Sequence, residues 1–467
     1  MMRAIELLTW PVRRRLEKAG AAAAVPPVER EQAPPIAGRA VSAVDSGPSG
    51  EWSAAKKIAF RFAFVYFVIY SFPSPFASIP GIDKLFGPYS KLGQAIVPWV
   101  AKRILHLSQE VSWVRNGSGD RTYNYVQLLC FVAFSIAATL LWSILDRRRK
   151  SYDKLFALLR VYVRYVLALT MLGYGFSKVF RLQFPELHTG RLIQTYGDSS
   201  PMGLLWNFMG YSGPYTIFSG LAEAVGGMLL FFRRTTSLGA LLLIPVIANI
   251  VILNFCYDVP VKLYSSNLLL MAIFLAGPDL LRIADVILFN RPTQAVKLSS
   301  PLPSRWMEYA RWALKLSFIG WILYRDISGD SQRRKEYAAM RQPKTSLFGY
   351  YDVEEFVRNQ VIVPAATAQP KRWKRVGINN DMFSVRLMDK SLEQYKMEHD
   401  PTKKTLSLAS GDKKFILALE EPDADHLILN GNLNGDSMRV QFRKVDASNS
   451  LLTTRGFHWI NEVPYNR

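Results

Sequence analysis

The chain has 467 residues, 49% of them hydrophobic and 13% aromatic, with a formal net charge of +21. That length accommodates a membrane domain plus at least one soluble domain. The basic residues flank apolar segments and form no long patch with a nucleic-acid motif, so the expected partner is a lipid bilayer and not nucleic acid.

Residues 1–55 are rich in Ala, Pro, Ser and Gly and read as a disordered cytoplasmic arm. Seven apolar segments follow, near 57–79, 123–145, 157–180, 214–232, 236–257, 263–283 and 305–324. Each has about 20 residues, the length that crosses roughly 30 Å of hydrocarbon. Pro73 and Pro75 should break the first near its outer end. Residues 86–106 are amphipathic and proline-interrupted, as an interfacial helix would be. GSGD at 117–120 lacks the Lys and the preceding strand of a phosphate loop and reads as a turn.

The expected fold is an α-helical membrane bundle of about seven transmembrane helices plus a small C-terminal all-β domain, barrel or sandwich. Residues 56–156 would hold two N-terminal spans and the outer interfacial helix, 157–290 a four-helix core, and 291–325 the seventh span. Residues 326–381 read as a linker with short helices. From Met382 to 467 the segments FSVRLM, KTLSLAS, KFILALE, HLILNGNL and SMRVQFRKV alternate apolar with polar residues, and SGDK and NGD mark turns between them. Basic residues at 146–150 and at Arg233–Arg234 mark cytoplasmic loops. The N-terminus is then cytoplasmic and the β domain extracytoplasmic; the loop 81–122, with six Lys or Arg, dissents.

The two cysteines and five histidines show no CxxC, HxxxH or HExxH spacing, so no metal site and no covalent cofactor is expected. The informative charges lie within apolar runs, where a charge is costly and normally has a partner. Arg164 lies roughly 10 Å from the inner end of its span and Glu223 roughly 13 Å above Arg233. Equal depth predicts a structural ion pair between Arg164 and Glu223. Lys178, fourteen residues beyond Arg164 and so on nearly the same face, sits near the outer interface with Tyr174 one turn below. It either snorkels to headgroups or serves a ligand as base or cation. Asn254 and Asp258 share a face one turn apart, with Lys262 in the turn beyond; Asn249 points elsewhere on a straight helix. These groups either cap helix ends or join Lys178 at a site. The loop 181–213, dense in aromatics and carrying Asp198, would cover it as a lid.

Two stretches carry a resemblance. Arg164 with GYGFSK ending at Lys178, and GLAEAVGGMLLFFRRTTSLGALLL with Glu223, Gly226 and Gly227, resemble the first two core helices of the DoxX family of bacterial membrane proteins. The resemblance covers about a quarter of the chain, residues 157–283. It implies a DoxX-like four-helix core, a bacterial inner-membrane location and an association with quinone and redox chemistry. The resulting expectation is a protein that binds a quinone-like or other small amphipathic ligand near the outer face through Tyr174, Lys178, Asp198, Asn254, Asp258 and Lys262. Lys178 and Asp258 are the catalytic candidates. No electron carrier is evident in the chain, so a partner redox subunit would supply electrons. Two alternatives stand beside this. One is an accessory scaffold whose β domain docks an extracytoplasmic protein. The other is a quinol-linked enzyme with a Lys base, architecturally similar to the vitamin K-dependent carboxylase.

Overall fold

The computed structural model describes residues 51–459 apart from 80, 115, 193, 294–303, 366–370, 447–450 and 457. The arm expected over 1–55 therefore lies, up to residue 50, outside the described residues.

The helical part comprises α1 (Ala54–Ser71), α2 (Gly87–Arg103), α3 (Thr122–Leu145), α4 (Asp153–Val179), α5 (Pro201–Tyr211), α6 (Gly213–Leu230), α7 (Thr236–Cys256), α8 (Lys262–Ile287) and α9 (Arg305–Arg341). Each of the seven apolar segments falls on one of these helices. Four stretches are long and apolar enough to cross a membrane: Ala54–Ser78, Thr122–Leu145, Asp153–Val179 and Arg233–Cys256. Large apolar side chains such as Phe134, Leu140, Leu141 and Leu145 of α3 are exposed, the arrangement of a helix that faces lipid. The protein is a membrane protein with an appended β domain. As Pro73 and Pro75 require, α1 stops at Ser71.

α4 is the central helix, with Val163, Leu167 and Ala168 fully buried. Its closest neighbour is α6, and small residues allow the approach. A Cβ on Gly175 would meet the Gly220 carbonyl oxygen at 2.7 Å and Ala224 at 2.8 Å. A Cβ on Gly220 would meet Lys178 Cβ at 2.8 Å, and one on Gly227 would meet Ala168 O and Met171 Cβ at 3.0 Å. The two backbones touch along this line, as helices do in membranes where dispersion contacts replace the hydrophobic drive. At the N-terminal end of α4, buried Arg61 of α1 donates to the Tyr152 hydroxyl, to Ser143 Oγ and to the Asp146 carbonyl, which ties α1 to the α3–α4 turn.

α9 runs unbroken for 37 residues, about 55 Å at 1.5 Å per residue. The linker with short helices expected over 326–381 is thus corrected: its first third continues the seventh apolar helix, because SGDSQRRKEYAAMR contains no Pro to end it. Nor does the β domain begin at Met382. β1 (Gly349–Arg358), β2 (Val361–Ile362) and β3 (Trp373–Ile378) precede β4 (Met382–Leu387). They are followed by β5 (Leu392–Asp400), β6 (Thr405–Ser410), β7 (Lys413–Glu420), β8 (His426–Leu433) and β9 (Asp436–Lys444). The strands run antiparallel in the order β1-β3-β4-β5-β6-β7-β8-β9, and β9 pairs back onto β1, Phe356 opposite Val440. This closes an eight-stranded barrel, with β2 a short addition to β1. Phe356, Trp373, Phe383, Leu406, Leu408 and Phe442 fill the interior, so the barrel holds a packed core and has no free edge around its circumference.

The close contact of α4 with α6 is testable. Gly220→Val should cost about 1–3 kcal/mol by overpacking, because the opposing atoms are backbone. Gly173→Ala should be neutral, since its Cβ would meet nothing within 4 Å. Equal melting temperatures for the two variants in detergent would contradict this packing.

Candidate functional site

The close approach of α4 and α6 seats one buried ion pair. Lys178 lies one residue before the end of α4 and Glu223 in the middle of α6; they are 5% and 0% exposed. Lys178 Nζ donates to Glu223 Oε2 at 2.8 Å. It lies 2.7 Å from Oε1 as well, so the ammonium spans both carboxylate oxygens.

The expected pair of Arg164 with Glu223 is corrected by this geometry. Arg164 instead donates Nε to the Leu230 carbonyl and Nη2 to the Phe231 carbonyl, both at 2.9 Å. Matching depths was not enough, because helical side chains lean toward their own N-terminus. Arg164 therefore leans toward the start of α4, away from Glu223, and satisfies orphan carbonyls at the C-terminal end of α6. Lys178 leans back from the C-terminal end of α4 to meet Glu223, which leans toward the start of α6.

Lys178 and Glu223 stand in the wall of a cavity of about 560 Å³ enclosed by α4–α8. Its surface is mostly apolar, with Met171, Phe184, Trp206, Met209, Ile247 and Leu253 among the lining residues. The polar exceptions include Tyr174, whose ring centroid is 5.7 Å from Lys178 Nζ, and Asn254, whose Nδ2 donates to Ser265 Oγ at 3.0 Å. Asn249 also lines it, although its helical position had set it apart from Asp258.

Three expected ligand-binding residues, Tyr174, Lys178 and Asn254, thus meet at one cavity, and three do not. Asp258 has a positive φ of 50° that ends α7, and its side chain is 84% exposed. It faces outward to Lys262, at 2.7 Å, while its neighbours Tyr257 and Val259 line the cavity. Lys262 is held between Asp258 and Asp120, and Asp120 accepts from the backbone N–H groups of Lys262 and Leu263. The GSGD turn therefore caps α8. Asp198 pairs with Lys390 of the barrel at 2.7 Å. No group of three or more His, Cys, Asp or Glu that could hold a metal occurs among the described residues.

The segment 181–213 does cover the cavity. α5 packs Leu205 and Met209 inward against Phe184 and Val259. Ser200 Oγ caps its N-terminus by accepting from Gly203 N–H. Arg181 staples the segment, donating to Glu186 at 2.8 Å and to the Gly210 carbonyl at 2.9 Å. From outside, Arg334 of α9 reaches Glu186 at 2.7 Å and Arg341 donates to the Glu186 carbonyl. The Tyr350 ring of β1 stacks on His188 at an interplanar angle of 15°. Sequence reasoning missed these clamps, because their partners are about 150 residues away and only the continuity of α9 brings them together. The Lys390 and Thr195 hydrogen bonds hold the Asp198 carboxyl down to about 2. Burial opposes ionisation of Glu186, but the Arg334 hydrogen bond and the charges of Arg181, Arg334 and Arg341 outweigh it and keep its carboxyl below the usual range.

No family model matches the chain, and no solved structure matches it. The chain is 36% identical over 116 residues to the uncharacterized protein YwoB of Bacillus subtilis (strain 168), an alignment that spans 25% of this chain and 73% of the relative.

Two outcomes are expected. Lys178→Met leaves Glu223 buried and unpaired and should cost about 3–5 kcal/mol, whereas Lys178→Met with Glu223→Met should restore most of the loss. A double variant no more stable than the single would show that the pair is not coupled in this way. The lid clamps depend on carboxylates with depressed pKa, so their contribution is complete above the unfolded values near 4 and is lost only as pH falls toward 2. Fluorescence energy transfer between labels at Tyr196→Cys and Asp412→Cys, with Cys130 and Cys256 replaced by Ser, should stay constant from pH 7 to 4. Lys390→Glu should lower it at neutral pH. Separation of the wild-type lid from the barrel already at pH 5 would contradict the assignment.

Proposed function

For this chain, which belongs to the family of the uncharacterized protein YwoB, we propose a DoxX-like, redox-associated role in which a quinone-like amphipathic molecule binds beside Lys178 and Glu223 near the outer face of a bacterial inner membrane. The observation that carries this reading is the Lys178–Glu223 ion pair, set in the wall of a mostly apolar, ligand-sized cavity. A buried ammonium of this kind suits the oxygen of a quinone-like ring. The DoxX part of the proposal rests on the motifs around Lys178 and Glu223 alone.

In this reading seven helices span. α6, α8 and α9 join the four most apolar stretches, and Arg147–Lys150 and Arg233–Arg234 face the cytoplasm. The barrel then lies on the outer side, above the lid it contacts. Electrons come from a partner subunit or from the ligand itself. The Lys-base alternative is less favoured, because Lys178 already donates to Glu223 and proton abstraction would first have to break that pair. An accessory role in which the barrel docks another protein is likewise less favoured, since the barrel has partners on the lid of its own chain.

Binding is measured with decylubiquinone and its quinol on the protein in phosphatidylcholine nanodiscs. Saturable binding is expected, together with quinone recovered from the purified protein by mass spectrometry. Ser219→Phe, which places a ring into the cavity one helical turn from Glu223, should weaken binding by about tenfold or more, ~1.4 kcal/mol. Affinity unchanged by Ser219→Phe, or no binding by the wild type, would overturn the proposal.

A further inference from the structure

A second cavity, of about 570 Å³, adjoins the first. The two share Gly117, Tyr174, Val261 and Tyr264 as a common wall, with the Tyr174 and Tyr264 rings 6.3 Å apart. Its lining differs in kind. Tyr70, Tyr89, Arg121, Asn124 and Gln127 stand around it, together with the turn Gly117–Gly119.

Arg121 is the only lysine or arginine in this lining. Its Nη1 donates to the Val114 carbonyl, its Nε is buried without an acceptor, and no carboxylate among the described residues pairs with it. The adjacent carboxylate, Asp120, is committed to the α8 N-terminus and faces Lys262. Nothing within the chamber neutralises the guanidinium. In the apolar cavity the opposite holds: the Lys178 charge is met by Glu223 inside the protein. The unanswered positive charge of the double site therefore lies at Arg121, with tyrosine hydroxyls and side-chain amides around it. A guanidinium binds phosphate and carboxylate oxygens through fixed, parallel donors.

We propose that the polar chamber is the headgroup subsite of an amphiphile whose apolar body lies in the neighbouring cavity, and that Arg121 selects an oxyanion head, a phosphate or a carboxylate. The inference rests on the reading of the apolar cavity as a ligand site and adds the chemical class of the ligand's polar end. Neutral heads lack the charge that Arg121 calls for. A free inorganic anion lacks the body that the adjoining cavity would bury, at roughly 25 cal/mol for each Å² removed from water.

The test uses the full chain in phosphatidylcholine nanodiscs with three twelve-carbon probes: dodecyl phosphate, dodecanoate and dodecanol. Inorganic phosphate serves as the headgroup alone. Each probe competes against a diazirine-bearing dodecyl phosphate whose crosslinks are mapped by mass spectrometry. Crosslinks are expected on the lid peptide 202–209, and dodecyl phosphate or dodecanoate should compete at least about tenfold better than dodecanol. Which of the two competes better names the head. Arg121→Gln should abolish the preference over dodecanol while leaving dodecanol competition unchanged, and Arg121→Lys should restore part of it. Equal competition by all three probes, a preference that survives Arg121→Gln, or competition by inorganic phosphate alone would overturn the headgroup assignment. In those cases displacement of the probe by decylubiquinone would still report on the apolar cavity, so failure of this inference and failure of the ligand-site reading give different results.

Discussion

The ion pair between Lys178 and Glu223 is the constraint on which the rest of the membrane part depends. A charge at this depth is tolerated only with a partner in contact, and contact requires that α4 and α6 meet without side chains between them. Gly175 and Gly220 provide that meeting. Once the two helices are pinned there, Arg164 comes level with the end of α6 and satisfies two of its carbonyls. The same register brings Glu223 and Tyr174 to one wall of a cavity that is otherwise mostly apolar, with Asn249, Asn254 and Ser265 on its α7–α8 side. Replacing a buried pair with apolar residues is often neutral for stability, so the contribution of this pair lies in register and in the cavity wall more than in folding energy.

The lid is held from two sides by different forces. Its inner face is apolar, with Phe184, Leu205 and Met209 packed over the cavity. Its outer face is polar and is gripped by Arg334 and Arg341 of α9 and by Lys390 of the barrel. α9 makes this possible, because one straight helix carries apolar Ile319 and Ile322 in the bundle and Arg334 and Arg341 at the lid. A movement of the barrel would therefore pull on the lid through short, charge-assisted contacts, which favour one geometry over neighbouring ones.

Much of the architecture was legible because it follows from local pattern. Apolar length marked the helices, and period-two alternation with turn residues marked the later strands. NGD became a two-residue hairpin with Asn434 and Gly435 both at positive φ, as such turns require. The first strands were missed because Asp352, Glu354 and Glu355 give GYYDVEEFVR the look of a polar linker, and only closure against β9 buries Tyr351, Val353 and Phe356. At the site, residue types were legible and directions were not. Asp258 and Tyr257 are neighbours in sequence, yet the turn at the end of α7 puts one in water and the other at the cavity. The partner of Glu223 depended on the lean of side chains along two antiparallel helices, which depth along the chain does not encode.

The two cavities differ in how the chain treats the charge that borders them. Around Glu223 the protein answers its own charge, so that chamber presents a net-neutral surface. Around Arg121 the charge is left unanswered. Tyr174 and Tyr264 border both chambers, with their rings 6.3 Å apart. Residues far apart in sequence, from the α2–α3 loop and from α4 and α8, meet at this boundary. The N-terminal helices and the loop between them contribute most of the lining of the polar chamber.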